Sequence, residues 1–103
     1  MTTTERPLID QELIDTFEKE SSIRFTVMRA LYEHKRSNPH GGGLSMLQLQ
    51  NAAGVGQEDL IFAAWYLRTK KFMFMNDRSV VEIALDGIDY FERELLRYRE
   101  ASR

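Results

Sequence analysis

The sequence predicts a single, mainly helical domain with a small β-hairpin. At 103 residues, of which 43% are apolar and 29% charged, the chain has the length and composition of one globular domain. Residues 57–71 form an amphipathic run whose apolar positions share one helix face: Leu60, Ala63, Ala64 and Leu67. Two short segments rich in β-branched and aromatic residues follow, 72–75 and 79–85. The polar turn Asn76-Asp77-Arg78 between them indicates a hairpin.

Two helices are predicted before this run. Residues 8–20 have apolar positions at helical spacing, with Asp10 as a candidate N-cap, and Ser21 and Ser22 are expected to end this helix. A second helix is predicted from about residue 23 to residue 36. Its apolar residues lie on two faces, one with Ile23, Val27, Ala30 and Leu31 and the other with Phe25, Met28 and Tyr32. A helix that is apolar on two sides has to be covered on two sides, so we expect it at the centre of the domain.

The next segment is a loop that leads into a short helix. Residues 37–43 contain one proline and three glycines, which is typical of a loop. Leu44 can supply a short strand, and Ser45 followed by Gln48 matches a capping box. We therefore predict a helix from residue 46 to about residue 53, ended by Gly54.

The chain ends in a predicted helix over residues 86–100, with Asp86 as its N-cap. Four apolar residues recur along it at intervals of 3, 4 and 3 and form a narrow seam: Ile88, Phe91, Leu95 and Tyr98. This seam can pack on the first helix of the same chain or on its counterpart in a dimer.

Composition limits the classes of function. A net charge of −2 gives no overall attraction to nucleic acid, so any DNA-binding face has to be local. The absence of cysteine excludes disulfides and thiolate metal sites. No apolar run approaches the ~20 residues of a membrane span, and residues 1–7, expected to be flexible, lack the apolar core of a signal peptide. We expect a cytoplasmic protein with one domain over residues 8–103.

Residues 23–87 resemble a winged helix-turn-helix domain of the type found in bacterial and archaeal transcription regulators. The added terminal helices are similar to those of the dimeric MarR-like and PadR-like families. The resemblance rests on the positions Leu44-Ser45, Gly54-Val55-Gly56, the inner face of residues 57–71, Phe72-Met73 and Asp86-Gly87. Gln50 departs from the small residue usual before the turn, and Lys71 departs from the glycine that often enters the wing. The resemblance implies a recognition helix at residues 57–71, a wing at the hairpin, and a homodimer joined by the terminal helices.

The predicted recognition helix has a mixed outer face. Gln57 and Arg68 suit contacts with DNA, whereas carboxylates at Glu58 and Asp59 would repel phosphates. A local basic group comprises Arg68, Lys70, Lys71 and Arg78. These cations can bind phosphates from the wing side, or they can be solvated charges that end a helix favourably.

An apolar cluster on the same helix allows three interpretations. Its members are Ile61, Phe62, Trp65 and Tyr66. The terminal helices can cover the cluster, another protein or a second copy can bind it, or it can face a DNA major groove. As protein-interface candidates we group these four residues with the seam of the last helix.

The sequence gives no support for an enzyme, a metal site or a cofactor. His34 continues the apolar face of its helix, and His40 lies in a loop without a second ligand at suitable spacing. The three glycines lack the Gly-Lys-Ser/Thr ending of a phosphate-binding loop. Two hypotheses remain: a homodimeric winged-helix regulator that binds double-stranded DNA, and a winged-helix interaction module that binds protein through the apolar cluster and does not bind DNA.

Overall fold

The structure is a computed structural model that describes residues 10–101. Its elements are α1 (Gln11–Ser37), α2 (Met46–Ala53), α3 (Gln57–Thr69), β1 (Met73–Met75), β2 (Val81–Ile83) and α4 (Leu85–Ala101). The prediction of a mainly helical chain with an antiparallel hairpin is confirmed. The flexible segment predicted for residues 1–7, and the first two residues of the predicted helix 8–20, lie outside the described residues.

The first helix is continuous through Ser21 and Ser22, so the prediction of two separate helices was wrong. Serine costs only about 0.5 kcal/mol relative to alanine inside a helix. That cost is small beside the packing that begins at Ile23, which is 8% exposed. The Thr26 hydroxyl donates a hydrogen bond to the Ser22 carbonyl at 3.0 Å and satisfies a polar group within the helix. The predicted N-cap is confirmed, because the Asp10 carboxylate accepts a hydrogen bond from the Leu13 amide at 2.8 Å.

The second half of α1 forms the centre of the domain, as its two apolar faces predict. Helices α2, α3 and α4 and strand β2 all pack on α1. Val27, Met28 and Leu31 are almost completely buried in this core. The other elements contribute Leu49, Leu60, Ala63, Ala64, Leu67, Met73, Val81, Ile83 and Phe91.

Helix α2 begins and ends as the sequence predicts. The Gln48 amide donates to the Ser45 hydroxyl at 3.1 Å, and the Ser45 amide donates to the Gln48 side chain at 2.9 Å. These two bonds complete the capping box. Gly54 ends the helix in the left-handed conformation, with φ 69°, where a side chain would be strained.

The hairpin includes a third, single-residue strand contact. Strands β1 and β2 pair in the register Met73 with Ile83 and Met75 with Val81. Leu44, just before α2, donates to the Val81 carbonyl at 2.9 Å and accepts from the Val81 amide at 2.6 Å. The short strand predicted at Leu44 is therefore confirmed as a bridge. It requires Gly43, because a Cβ there would overlap the Val81 carbonyl.

Helix α4 follows β2 without a loop, so the prediction of Asp86 as N-cap was wrong. The Ala84 amide donates to the Phe72 carbonyl at 2.9 Å, and the Ile88 amide donates to the Ala84 carbonyl at 3.0 Å. Helical hydrogen bonding thus starts where strand pairing ends, and Asp86 lies inside the first turn.

The seam of α4 packs on α1 of the same chain. The Phe91 ring centroid lies 5.0 Å from that of Phe25 and 4.7 Å from that of Tyr32. Tyr98 lies 4.7 Å from Phe25, and the Tyr32 hydroxyl donates to Glu92 at 2.7 Å. The seam therefore packs within its own chain, but on the part of α1 predicted as the second helix, residues 23–36, and not on the predicted first helix.

The molecule is elongated because α1 extends past the rest of the domain. Its extents are 60 × 33 × 22 Å and its radius of gyration is 16.1 Å, against about 13 Å for a compact domain of this size. Every residue from 11 to 19 is exposed. The first half of α1 therefore lies outside the core.

Candidate functional site

The outer face of α3 displays a cluster of large apolar side chains. Ile61 is 55% exposed, Phe62 47% and Trp65 59%. The rings of Phe62 and Trp65 stack with centroids 5.9 Å apart. Of the three interpretations of this cluster, cover by the terminal helices does not occur among residues 10–101. We call Ile61, Phe62 and Trp65 the α3 patch.

Tyr66, predicted to belong to the same cluster, lies partly underneath it. The ring is half-buried, and the Arg24 guanidinium of α1 lies over it at 4.1 Å from the centroid. The Lys70 ammonium approaches the same ring at 5.9 Å. Cations favour the electron-rich face of an aromatic ring, so Tyr66 connects α3 to α1.

A groove of about 540 Å³ runs beside the α3 patch. Its walls include Ile61, Trp65 and Arg68 of α3, Met46 of α2 and Met75 of β1. Sequence patterning identified neither methionine as a site residue, because only the fold brings the start of α2 and the end of β1 together. Methionine side chains are flexible and adapt to the shape of a partner.

The predicted basic group is exposed and has few internal partners. Arg68, Lys70, Lys71 and Arg78 are all exposed, and within residues 10–101 none of them forms an ion pair. Arg68 lines the groove, so the end of α3 and strand β1 contribute to one surface. These cations are available to an anionic partner.

Local backbone geometry presents two of these cations. Lys71 has φ 65°, in the left-handed region, which glycine adopts with less strain than a residue with a side chain. At the hairpin tip, the Asn76 side chain accepts hydrogen bonds from the Arg78 amide at 2.8 Å and the Val80 amide at 3.3 Å. The same side chain donates to Glu82 at 2.8 Å. This network orders the tip that carries Arg78.

The start of α3 is acidic and has one exposed amide side chain. Gln57 is the first residue of the helix, eleven positions or about 16 Å from Arg68 along the axis. Glu58 is exposed, and Asp59 pairs with Lys19 of α1 at 3.9 Å. Carboxylates stabilise a helix N-terminus, since that end carries a partial positive charge. Because of the separation of about 16 Å along the axis, Gln57 does not belong to the same surface region as the predicted basic group.

The interface residues predicted on α4 differ in exposure. Phe91 is buried in the core at 2% exposure and Ile88 is half-buried, whereas Leu95 is 43% and Tyr98 52% exposed. Sequence reasoning did not identify Leu96, which is 49% exposed, as an interface candidate. The sequence analysis did not select Leu96 because it followed one heptad seam, and a seam that contains Leu95 does not include the residue next to it.

The Tyr32 and His34 side chains have local partners, and the described side chains form no metal-binding cluster within residues 10–101. The His34 imidazole lies 3.0 Å from the Gly42 carbonyl and fixes the loop before α2. Residues 10–101 contain no group of three or more side chains arranged to hold a metal ion. The hydrogen bond to Glu92 raises the pKa of Tyr32, and burial raises the pKa of Tyr90, so both phenols favour their neutral forms.

Comparison of the chain with protein-family models, with curated proteins and with solved structures found no match. Among residues 10–101, no helix combines the length and apolar character needed to span a membrane.

Proposed function

We propose that the chain is a winged-helix domain that binds double-stranded DNA as a homodimeric transcription regulator. The order of its elements supports this proposal: a central helix, a one-residue strand at Leu44, two short helices and a hairpin. In this arrangement α3 is the recognition helix and the hairpin is the wing.

The observation that carries the proposal is the set of exposed cations around the end of α3, which form no ion pair within residues 10–101. Arg68, Lys70 and Lys71 follow one another closely, and Arg78 occupies the ordered tip of the hairpin. In protein–DNA complexes, Lys and Arg contacts to phosphates supply most of the affinity and fix the position of the recognition helix. The net charge of −2 does not prevent DNA binding. Salt screens charges that lie more than about 10 Å from the duplex, so the cations near the duplex dominate the interaction.

Binding of a labelled random-sequence duplex, followed by fluorescence anisotropy, tests the proposal. Arg68→Ala and Arg78→Ala should each weaken binding and lower the salt dependence by about one phosphate contact per subunit. Arg29→Ala is the matched control, because Arg29 lies on α1 and pairs with Glu33 at 3.2 Å. Equal affinities for all three variants and the wild type would contradict the proposal.

The α3 patch favours a second candidate, an interaction module that does not bind DNA. A major groove offers thymine methyl groups to apolar side chains but is otherwise polar. A protein surface would cover Ile61, Phe62 and Trp65 more completely, and exposed apolar clusters of this kind mark protein interfaces.

Trp65→Ala separates the two candidates. Trp65 is 59% exposed, so its truncation should leave the fold intact. If wild-type protein fails to bind duplex at about 50 mM salt and Trp65→Ala dissociates an assembly of the chain, the interaction module replaces the regulator. If Trp65→Ala leaves the assembly unchanged and Arg78→Ala weakens duplex binding, the regulator stands.

A further inference from the structure

The outer side of α3 carries a row of four exposed residues with a symmetric order of chemical types. Glu58, Ile61, Trp65 and Arg68 follow one another at intervals of 3, 4 and 3, so they lie along one side of the helix. An acid begins the row, two large apolar side chains occupy its middle and a cation ends it. We call these four residues the α3 ridge.

We propose that the α3 ridge packs antiparallel on the α3 ridge of a second copy of this chain, across a two-fold axis. The inference deepens the second candidate function, the interaction module, on which it rests, by naming the partner and the register of the contact. The ridge lies on α3 alone, so the contact is separate from any association through the terminal helices. It covers the helix side that the regulator would turn toward DNA.

The symmetry of the ridge is the first argument for this partner. In a two-fold contact, each pairing of residues occurs twice. When Ile61 faces the second copy's Trp65, Glu58 faces the second copy's Arg68, because both pairs are centred on Ala63 in the sequence. One register therefore joins the apolar pair and the charged pair together. A parallel contact would instead place like charges opposite each other.

Both charged ends of the ridge are available for such pairs. Among residues 10–101, neither Glu58 nor Arg68 forms an ion pair. The neighbouring acid, Asp59, pairs with Lys19 of the same chain. Glu58 and Arg68 are ten positions apart, or about 15 Å along the axis. In the antiparallel contact, like charges of the two copies are therefore kept apart while opposite charges meet.

The groove beside α3 offers space for the indole ring of the second copy. Ile61, which faces the second copy's Trp65 in this register, lines the groove of about 540 Å³ together with Met46 and Met75. Methionine side chains adapt to the shape of an inserted ring. Phe62 stacks on Trp65 with centroids 5.9 Å apart, so the contact would shield both rings from water.

The available apolar area determines how strong the contact can be. Four large side chains at this surface are each exposed by about half: Ile61, Phe62, Trp65 and Met75. With a full area of about 200 Å² each, they contribute about 400 Å² per chain and about 800 Å² for two copies. Stable interfaces bury about 1,200–2,000 Å², and smaller ones are weak and reversible. The dimer should therefore dissociate on dilution.

Analytical ultracentrifugation over a concentration series provides the first test. Between about 1 μM and about 1 mM protein, the mass of the wild type should at least double. Trp65 is the only tryptophan of the chain, and its fluorescence emission should move to shorter wavelength over the same range, because the contact removes the indole from water. A constant mass, or a rise in mass without the change in emission, would overturn the proposal.

Charge exchange provides the second test and identifies the register. Glu58→Arg and Arg68→Glu should each raise the concentration needed for association at least about tenfold, because like charges then meet at both ends of the contact. The variant that carries both substitutions should associate like the wild type, since each end again pairs opposite charges. Circular dichroism should show native helix content for all three. A double variant that associates no better than the single variants would overturn the antiparallel contact.

Lys70→Glu is the matched control for the change of charge. Lys70 follows Arg68 by two residues, but it lies on another side of α3, where its ammonium approaches the Tyr66 ring at 5.9 Å. This variant should associate like the wild type. If Lys70→Glu disrupts association as strongly as Arg68→Glu, general charge and not the ridge controls it, and the proposal fails.

Titration with random-sequence duplex at about 50 mM salt separates this inference from DNA binding. A chain that associates through the α3 ridge and binds no duplex would refute the regulator and leave the contact intact. A chain that binds duplex but keeps one mass at all protein concentrations would refute the contact and leave the regulator intact.

Discussion

Replacing Gly43 with alanine should destabilise the protein strongly, whereas the same replacement at Gly42 should not. Both glycines lie in the loop before α2 and differ in what surrounds them. A Cβ at Gly43 would overlap the Val81 carbonyl, while a Cβ at Gly42 would have no atom within 4 Å. Neither glycine adopts a left-handed φ, so backbone strain does not confuse the comparison.

The size of the effect follows from the contact that has to move. Leu44 and Val81 exchange two hydrogen bonds, at 2.9 and 2.6 Å, and relief of the overlap would separate these strands. Two hydrogen bonds at about 0.5–1.5 kcal/mol each, or overpacking at about 1–3 kcal/mol, give a loss of roughly 2–3 kcal/mol for Gly43→Ala. For a domain of this size the melting temperature should fall by about 10–20 °C. Gly42→Ala should change stability by less than about 1 kcal/mol, in the stabilising direction.

Thermal unfolding followed by circular dichroism measures both variants under one condition. Urea denaturation gives the free energy independently, and an unchanged slope with denaturant would show that the unfolded states are comparable. A Gly43→Ala protein within about 0.5 kcal/mol of the wild type would refute the reasoning, because the Leu44 bridge would then not determine the position of the hairpin.

Three further substitutions test separate parts of the structure. Lys71→Gly should stabilise the chain by about 0.5 kcal/mol, since glycine tolerates φ 65°, and should lower the salt dependence of duplex binding; equilibrium denaturation and anisotropy measure the two effects. Phe91→Ala should cost about 3–5 kcal/mol, because this ring is 2% exposed and contacts both Phe25 and Tyr32; a loss below about 1 kcal/mol in urea denaturation would place α4 outside the core. Ser45→Ala should cost about 1 kcal/mol by removing half of the capping box, and Ser45→Asp, measured by the same denaturation, should restore most of it.

Local sequence chemistry was sufficient for much of the fold. The capping box at Ser45 and the left-handed end at Gly54 depend on a few neighbouring residues, so the sequence predicts them well. The hairpin also follows from local signals, because Asn76 completes its turn through its own side chain. The central position of α1 follows from its two apolar faces.

The errors arose where distant contacts outweigh local preference. Ser21 and Ser22 suggest a break, yet core packing from Ile23 onward stabilises one helix through both. Asp86 is a good N-cap residue, but pairing of Ala84 with Phe72 starts α4 at Leu85, two residues too early for that role. Local sequence shows which residues favour a helix end, but it does not show the tertiary contacts that decide where the helix actually begins.

The candidate surface was only partly predictable for the same reason. The outward positions of α3 follow from helical periodicity, which placed Ile61, Phe62 and Trp65 together. Whether other helices cover them depends on long-range packing, and so does the groove that Met46 and Met75 complete. The sequence also did not show that residues 11–19 would be exposed, because their apolar spacing is that of a helix packed on its own core.

The salt dependence of duplex binding by the wild-type protein tests the central claim most directly. With the four cations of the basic group on each chain, a dimer can neutralise up to eight phosphates, so the slope of log affinity against log salt should approach about −7. Between about 50 and 200 mM salt, the affinity should then fall by about 10³–10⁵-fold. Absence of duplex binding at the lower salt concentration, or binding with a slope near zero, would contradict the assignment of α3 and the hairpin as a DNA-binding face.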